Sequence, residues 1–206
     1  MSSNQELIKH LKQTGVLKSA NIEAAVMKVL REDFVPMQYS ADAYEDTALP
    51  IGAGQTISQP YTVVFMLELL RVEEGNNILE VGFGSGWQTA LLSHMVGRTG
   101  RVRAFEVVRE LCEFGKLNLQ KYSDLYNRVE LHCQSAQDGL KEASPFDCII
   151  CAAEVKDVPD AWKQQLKVGG KMVYPQENSL VLEIKKNENE FDKKKFHGFV
   201  FVPYVK

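Results

Sequence analysis

The stretch N-I-L-E-V-G-F-G-S-G-W-Q, residues 77–88, decides the fold of this 206-residue chain. Its first five residues contain a nearly continuous apolar run, the pattern of a short strand covered on both faces. Three glycines follow at Gly82, Gly84 and Gly86, and residues 89–96 are typical of a helix. A strand, a tight glycine turn and a helix N-terminus together offer free backbone N–H groups and room for a ligand against the main chain.

The glycine spacing separates this turn from the dinucleotide-binding pattern. That pattern is G-x-G-x-x-G, whereas here the third glycine comes one residue earlier, as G-x-G-x-G. Glu80 stands two positions before the first glycine. The arrangement resembles the first motif of the S-adenosyl-L-methionine-dependent methyltransferases of the Rossmann-like class, and a purely structural turn is the alternative.

Composition and charge narrow the classes of partner. The chain has a formal net charge of −3, and its basic triplet Lys193-Lys194-Lys195 lies beside acidic residues, which favours a solvated turn. A nucleic-acid partner requires a clustered positive surface, so we expect none. No apolar run approaches the ~18 residues of a membrane span. The N-terminus lacks the basic and apolar segments of a signal peptide, so we expect a cytoplasmic protein.

The four cysteines predict neither a metal site nor a redox motif. Cys148-x-x-Cys151 is the closest pair, but it lies in F-D-C-I-I-C-A-A, the pattern of a buried strand. Side chains three apart on a strand point to opposite faces, so this pair cannot easily chelate a metal. No second pair completes a zinc site. We expect core thiols in a reduced cytoplasm.

Strand and helix patterns alternate along the chain and predict a mostly parallel sheet with helices on both faces. Strands are expected at 77–81, 101–105, 129–133, 146–152 and 171–174, and helices at 61–70, 89–96, 109–120 and 159–166. Helices at 6–13 and 21–31 precede this core as a cap, and residues 39–60 are expected to form a long loop, a kind that is often functional. Strand-like runs at 180–185 and 199–204 predict a C-terminal antiparallel hairpin. The patterns therefore predict an α/β, Rossmann-like fold, and the resemblance of the glycine turn implies the class I methyltransferase form of it.

Two acidic residues and a tryptophan are candidate site residues. Glu106 ends the strand after the glycine turn, where an acid can accept both ribose hydroxyls of an adenosine. Glu80 is expected to accept hydrogen bonds from backbone N–H groups of the turn, or to pair with the ammonium group of a ligand. Trp87 is either a lid on the site or a core indole.

Residues 43–60, A-Y-E-D-T-A-L-P-I-G-A-G-Q-T-I-S-Q-P, carry the most specific pattern in the chain. They resemble the signature loop of the protein-L-isoaspartate O-methyltransferases, which place this loop just before an I-L-E-V-G-x-G-S-G turn. The resemblance covers nearly the whole chain. It includes Arg31-x-x-Phe34-Val35-Pro36, Pro145-Phe146-Asp147-x-Ile149 and Phe201-Val202-Pro203.

The resemblance implies a domain plan and a reaction. The plan is a single domain over residues 1–206, with N-terminal helices and a substrate loop in 1–60 and an S-adenosyl-L-methionine-binding core in 61–206. The reaction is methyl transfer from S-adenosyl-L-methionine to the free carboxylate of L-isoaspartyl residues in damaged proteins and peptides. Such a carboxylate has a reference pKa near ~4 and is ionised at pH 7, so neither a histidine base nor a metal is needed.

The resemblance also implies a set of site residues. Ser58 matches the active-site serine of the family, and Thr56 precedes it in the same motif. For either hydroxyl alone, a turn or cap role is the alternative. The residues expected to shape the substrate clamp are Gln55, Ile57 and the glycines Gly52 and Gly54. The expected cofactor-binding residues are Gln55, Ile57, Glu80, Gly82, Gly84, Ser85, Gly86, Glu106 and Ser135.

Two departures from the family pattern bear on the prediction. The family usually has Gly-Asp-Gly after the third strand of the core, with the Asp receiving the adenine amine, whereas this chain has Gln134-Ser135-Ala136. Ser135 can still accept a hydrogen bond, though more weakly than an anion, and Asp138 is a substitute if the loop shifts. The Pro-Val-Gly usual after the fifth strand reads Pro175-Gln176-Glu177.

Two other functions remain open from the sequence. A paralogue on the same scaffold could esterify another peptide carboxylate, and a non-catalytic protein could bind S-adenosyl-L-methionine without turnover. The intact Gly54-Gln55-Thr56-Ile57-Ser58 loop favours the enzymes, and the altered loop around Ser135 keeps the binder open. A monomer is expected, with damaged protein or peptide as substrate.

Overall fold

The computed structural model describes residues 1–205, so the last residue of the predicted domain lies outside the described residues. The strands are β1 (Leu49–Gly52), β2 (Gln55–Ile57), β3 (Asn77–Val81), β4 (Arg101–Phe105), β5 (Val129–His132), β6 (Phe146–Cys151), β7 (Leu166–Gln176), β8 (Ser179–Asn187) and β9 (Glu190–His197). The α-helices are α1 (Asn4–Gln13), α2 (Ala20–Lys28), α3 (Pro60–Leu70), α4 (Trp87–Met95), α5 (Arg109–Gln120), α6 (Ser123–Tyr126) and α7 (Asp160–Gln165).

The central sheet of the described residues has seven strands in the order β5-β4-β3-β6-β7-β8-β9. The pairs from β5 to β7 are parallel, and β8 and β9 add antiparallel strands at one edge. The chain leaves β3 toward β4 on one side and returns to β6 on the other. This reversal opens a crevice at the carboxyl end of β3, which is where open α/β sheets bind ligands. The predicted fold class is confirmed.

The N-terminal helices cover one edge of the core. Both are amphipathic, and their apolar faces join the main hydrophobic cluster through Leu7, Leu11, Ile22 and Val26. Helix α2 packs against α4, the helix that follows the glycine turn. The predicted capping position of these helices is therefore confirmed.

The C-terminal hairpin exists, but its second strand was placed wrongly. The partner of β8 is β9, which contains the basic triplet predicted as a solvated turn. In β9, Lys193 and Lys195 extend across the pair to Glu183 and Glu177 at 3.2 and 2.7 Å. Residues 199–204 instead leave the sheet and run beside Glu154, where an isolated bridge joins Glu154 to Pro203.

The predicted loop over residues 39–60 contains regular structure. A 3₁₀ helix spans Met37–Asp42, and β1 and β2 pair as a short antiparallel hairpin. The turn between them uses three consecutive residues with positive φ, Gly52, Ala53 and Gly54 at 100°, 50° and 72°. Glycine tolerates this region at little cost, so the two glycines permit the reversal.

Each helix in the described part of the chain is too short or too polar to cross a bilayer.

Candidate active site

The glycine turn lies at the carboxyl end of β3 and is fastened to the next strand. The backbone N–H groups of Gly82 and Phe83 donate to the carbonyl of Phe105, at 2.8 and 3.1 Å. Gly84 has φ 48° and Gly86 has φ 87°, both in the left-handed region that favours glycine. The prediction of free N–H groups is wrong for Gly82 and Phe83, because both N–H groups donate to a carbonyl of the protein. The glycines serve the bend and the close approach of a ligand.

Glu106 follows β4 and is buried against this turn. Its Oε2 accepts a hydrogen bond from Gly84 N at 3.0 Å, and its Oε1 accepts one from Val108 N at 2.9 Å. A carboxylate has about four acceptor sites, so each oxygen keeps capacity for a further donor. Glu106 is thus a fixed anion facing the crevice with acceptor capacity to spare.

Glu80 does not bind the backbone of the turn, which was one of its two predicted roles. It is completely buried in β3, and its Oε1 accepts a hydrogen bond from Gln88 Nε2 at 3.1 Å rather than from backbone N–H groups of the turn. Burial raises the pKa of Glu80 to about 7, with a further contribution from the charge of Glu106. Gln88, which lines the crevice, therefore connects Glu80 to the site.

The β1–β2 hairpin together with Ser58, which directly follows it, is here called the serine-bearing hairpin. It faces the glycine turn across a cavity. The cavity between them, here called the inner cleft, is lined by the β2 residues Gln55, Thr56 and Ile57, by Ser58, and by Gly82, Gly84, Ser85 and Glu106. The structure therefore brings together eight of the predicted site residues. Gly86 and Ser135 do not line the inner cleft: Gly86 is the N-cap of α4, and a Cβ there would lie 3.0 Å from Gly115 O.

Arg31 positions the serine-bearing hairpin, a role that motif reasoning did not assign. Its guanidinium is completely buried and donates to the carbonyl oxygens of Ala43, Glu45, Thr47 and Ser58 at 2.7, 3.2, 2.8 and 3.1 Å. Burial lowers the pKa of Arg31 to about 10. One cation thus gathers the segment that leads to Ser58. Its place in Arg31-x-x-Phe34-Val35-Pro36 was the available signal.

Trp87 is a core indole whose edge reaches the inner cleft. It is 1% exposed, and its Nε1 donates to Val29 O at 3.4 Å. The guanidinium of Arg31 lies 5.5 Å from its ring centroid. The core alternative is therefore correct, and Trp87 also supports Arg31 from behind.

The far end of the inner cleft is formed by the loop after β5 and by the C-terminal segment. Gln134 and Ala136 line it, together with Tyr204. Ser135 Oγ accepts from Gln137 N at 3.2 Å, and Ser135 stands beside the hydroxyl of Tyr204. Asp138 is exposed and lies outside the cleft, so it does not substitute for the missing acid. Gln134 could have been found from its place in Gln134-Ser135-Ala136, whereas Tyr204 belonged to no motif that could have marked it.

A second cavity, here called the outer cleft, opens from the same serine-bearing hairpin toward the surface. It is bounded by the start of α3, the end of β9 and residues 198–202. Four residues line both cavities, namely Thr56, Ser58, Ala152 and Val202. Ser58 therefore lies where the two clefts meet.

A disulfide joins the two elements beside the far end of the inner cleft. Cys112, on α5, is bonded to Cys133, just after β5, with 5.8 Å between the Cα atoms. Their neighbours Leu111 and Gln134 line the inner cleft. The prediction of core thiols holds for Cys148 and Cys151, both buried and free. It did not anticipate this bond.

The sheet order, the bend after β3 and the acid after β4 define a Rossmann-like protein of the class I methyltransferase type. The sequence matches the family described as Protein-L-isoaspartate(D-aspartate) O-methyltransferase (PCMT) over residues 2–206. The chain belongs to the protein-L-isoaspartate(D-aspartate) O-methyltransferase family, as the predicted resemblance implied.

Individual relatives support this assignment over nearly full length. The chain is 40% identical to the protein-L-isoaspartate O-methyltransferase of Ignicoccus hospitalis over 205 residues, covering 98% of this chain and 96% of that one. It is 43% identical to that of Flavobacterium psychrophilum over 203 residues, covering 97% and 92%. A candidate enzyme of this name from Plasmodium falciparum, solved with S-adenosyl-L-homocysteine, has the same fold at 22% identity, with a TM-score of 0.88 and 98% of both chains covered.

Proposed function

We propose that the protein transfers a methyl group from S-adenosyl-L-methionine to the free carboxylate of L-isoaspartyl residues in damaged proteins and peptides. The observation that carries this proposal is that Thr56 and Ser58 line both clefts. A methyl donor in the inner cleft and a peptide in the outer cleft would meet at these hydroxyls. Family membership and the names of the full-length relatives support the same reaction.

The residues of the inner cleft fit S-adenosyl-L-methionine. Glu106 keeps acceptor capacity for ribose hydroxyls, and Leu111 and Ala136 give apolar surface for a base. The bend at Gly82, Gly84 and Ser85, together with Gln55 and Ile57, would hold the rest of the molecule. The cofactor supplies an electrophilic methyl group on a sulfonium centre.

Three predicted cofactor ligands act indirectly in this arrangement. Glu80 holds Gln88 through its 3.1 Å hydrogen bond, and Gly86 lets α4 begin directly after the bend. Ser135 lies outside the inner cleft and accepts a hydrogen bond from Gln137 N at 3.2 Å. We propose that these residues shape the site while Gln88, Gln134 and Tyr204 form its surface.

The chain's contribution to the reaction is positioning. The acceptor carboxylate is already anionic at pH 7, so no proton has to be removed before it attacks. Ser58 Oγ can donate a hydrogen bond to one carboxylate oxygen and leave the other directed toward the inner cleft. Arg31 holds the backbone of Ser58 in place by donating to its carbonyl at 3.1 Å. Correct placement of two reactants can lower the activation free energy by several kcal/mol, up to about 7–11 kcal/mol.

The product of this step is a methyl ester of the isoaspartyl side chain. Methoxide is a better leaving group than hydroxide, so the next backbone nitrogen can attack the ester and close a succinimide ring without further help. Hydrolysis of that ring returns part of the material as normal aspartate. The enzyme is thereby proposed to act in repair, as a single-domain monomer in the cytoplasm with both clefts built from its own residues.

A labelling experiment tests the function. The protein is incubated with S-adenosyl-L-methionine carrying a labelled methyl group and either an isoaspartyl peptide or its normal aspartyl twin. The proposal requires label in the isoaspartyl peptide alone. Equal labelling of both peptides would indicate a paralogue that esterifies other carboxylates. No labelling at saturating cofactor, with the cofactor bound, would indicate a non-catalytic binder.

A further inference from the structure

The outer cleft has an aromatic wall, defined here as Tyr61, Phe65, Phe196 and Phe199. Phe65 is its centre: the ring of Phe199 stacks on it at 5.1 Å, that of Phe196 meets it edge-on at 5.3 Å, and that of Tyr61 lies parallel at 6.3 Å. The rings come from the first turns of α3 and from the end of β9 with its following segment. Two parts of the chain that are distant in sequence therefore converge on one apolar surface.

The aromatic wall is only partly covered by the protein. All four rings are half-buried, and Val200 at the rim is 79% exposed. Ring surface left open in a concave site is available to an incoming apolar group. Charges of both signs lie nearby, since Lys194 Nζ lies 5.0 Å above the ring of Phe196 and Asp46 also lines the outer cleft. The rings themselves are apolar, so an apolar side chain is the group that they can cover.

The position of the aromatic wall indicates that a bound peptide substrate would cover it. The outer cleft joins the inner cleft through Thr56 and Ser58, so a peptide whose carboxylate reaches Ser58 must leave along the outer cleft. An extended chain advances by about 3.3–3.6 Å per residue. The residues on one side of the isoaspartate therefore pass the aromatic wall within a few positions.

We propose that the aromatic wall binds an aromatic or large aliphatic side chain of the substrate, within about three residues of the isoaspartate, and so selects among damaged peptides. This inference rests on the proposed methyl transfer and adds a sequence preference to it. Burial of one such side chain is worth roughly a tenfold or larger gain in binding. Because the contact is made before and during reaction alike, the gain belongs in KM rather than in kcat.

A set of matched peptides tests the inference. Each contains one isoaspartate in a glycine-serine background, with tryptophan or glycine placed in turn at the three positions on either side. The wild-type protein is expected to show at least one position where tryptophan lowers KM roughly tenfold. Phe65→Ala and Phe199→Ala are each expected to reduce that preference to about twofold. Phe114→Ala removes a half-buried ring outside both clefts and should preserve the preference.

The experiment distinguishes a failure of the proposed function from a failure of this inference. If no isoaspartyl peptide is labelled, the proposed function fails and this inference falls with it. Equal KM values for all labelled peptides would overturn the aromatic wall alone. A preference that survives in both Phe65→Ala and Phe199→Ala would also overturn it. Unchanged binding of S-adenosyl-L-homocysteine by the variants, measured by calorimetry, shows that any lost preference is not a loss of fold.

Discussion

Gly84 N donates a hydrogen bond to Glu106 Oε2 at 3.0 Å, so the acid after β4 is fastened to the bend after β3. The second oxygen of Glu106 accepts from Val108 N at 2.9 Å, at the start of α5. The carboxylate thus joins both loops at the point where the strand order reverses. A group in this position can orient a ligand only because the protein has already fixed its own rotamer.

Replacement of Glu106 by alanine should weaken cofactor binding more than catalysis. Hydrogen bonds to a charged acceptor are worth about 1.5–3 kcal/mol each, so the Kd for S-adenosyl-L-homocysteine should rise by roughly 10- to 100-fold. Calorimetric titration measures this change. Glu110→Ala removes an exposed acid from the first turn of α5 and should leave Kd unchanged. A Kd within twofold of wild type for Glu106→Ala would contradict the ribose role.

Replacement of Ser58 by alanine should have the opposite profile. Loss of a positioning donor should lower kcat by roughly tenfold or more, because the acceptor carboxylate is no longer held in line. The Kd for S-adenosyl-L-homocysteine should stay within twofold. Ser123→Ala, an exposed serine at the start of α6, is the matched control. An unchanged kcat would mean that Ser58 only shapes the turn.

Arg31→Lys should damage the serine-bearing hairpin although it keeps the charge. Lysine has three donors on one atom, whereas the guanidinium holds four separate carbonyls between Ala43 and Ser58. A lysine side chain therefore cannot satisfy all of them. Buried carbonyls without a donor cost about 1–3 kcal/mol each, so the melting temperature should fall by several degrees. Turnover should fall with it. Arg101→Lys, at an exposed site, should change neither, and equal melting curves for Arg31→Lys and wild type would refute the positioning role.

The sequence predicted the parts of the site that depend on local pattern. The glycine bend has its own backbone requirement, and Glu106 follows directly from the end of a strand whose bounds were correct. The helix at 109–120 was also placed correctly, because its apolar spacing and its flanking residues indicate the same bounds. These features are decided by residues that are neighbours in the chain.

Features that depend on distant partners were missed. The strand β9 carries charges at most positions, so its sequence has no apolar alternation, and it is specified by pairing with β8 and by acids such as Glu183. Arg31 draws its role from carbonyls 12 to 27 residues away. Tyr204 reaches the cleft only because the C-terminal segment pairs with Glu154. Sequence patterning alone contains none of these relationships.

The disulfide between Cys112 and Cys133 should stabilise the oxidised protein. It closes a loop with a sequence separation of 21, which corresponds to about 3 kcal/mol of lost denatured-state entropy. Melting in the presence of a reductant should therefore occur several degrees lower. Cys112→Ser should melt at that lower temperature with or without reductant, and Cys148→Ser should keep the difference, since Cys148 is a free thiol. Identical oxidised and reduced melting curves would argue against the bond.

Glu80→Gln should change how stability depends on pH. Burial raises the pKa of Glu80 from 4.5 to about 7, so between these values the folded protein keeps a proton that the unfolded chain has lost. Stability contributed by this group therefore falls as pH rises from about 4.5 to 7, by up to ~3 kcal/mol, and is constant above that range. Glutamine has no proton to lose and can still accept from Gln88, so it avoids the penalty.

The measurement for this last prediction is urea unfolding of wild type and Glu80→Gln at pH 5 and pH 8 without cofactor. The variant should gain stability relative to wild type on going to pH 8, because only the wild type then buries a carboxylate. Glu113→Gln, an exposed acid on α5, should show no such difference. A constant gap between Glu80→Gln and wild type across the two pH values would mean that Glu80 is ionised throughout. A charged Glu80 would then need a stabilising partner. Its Oε2, which has no hydrogen-bond partner among the described residues, is the atom at which that partner would bind.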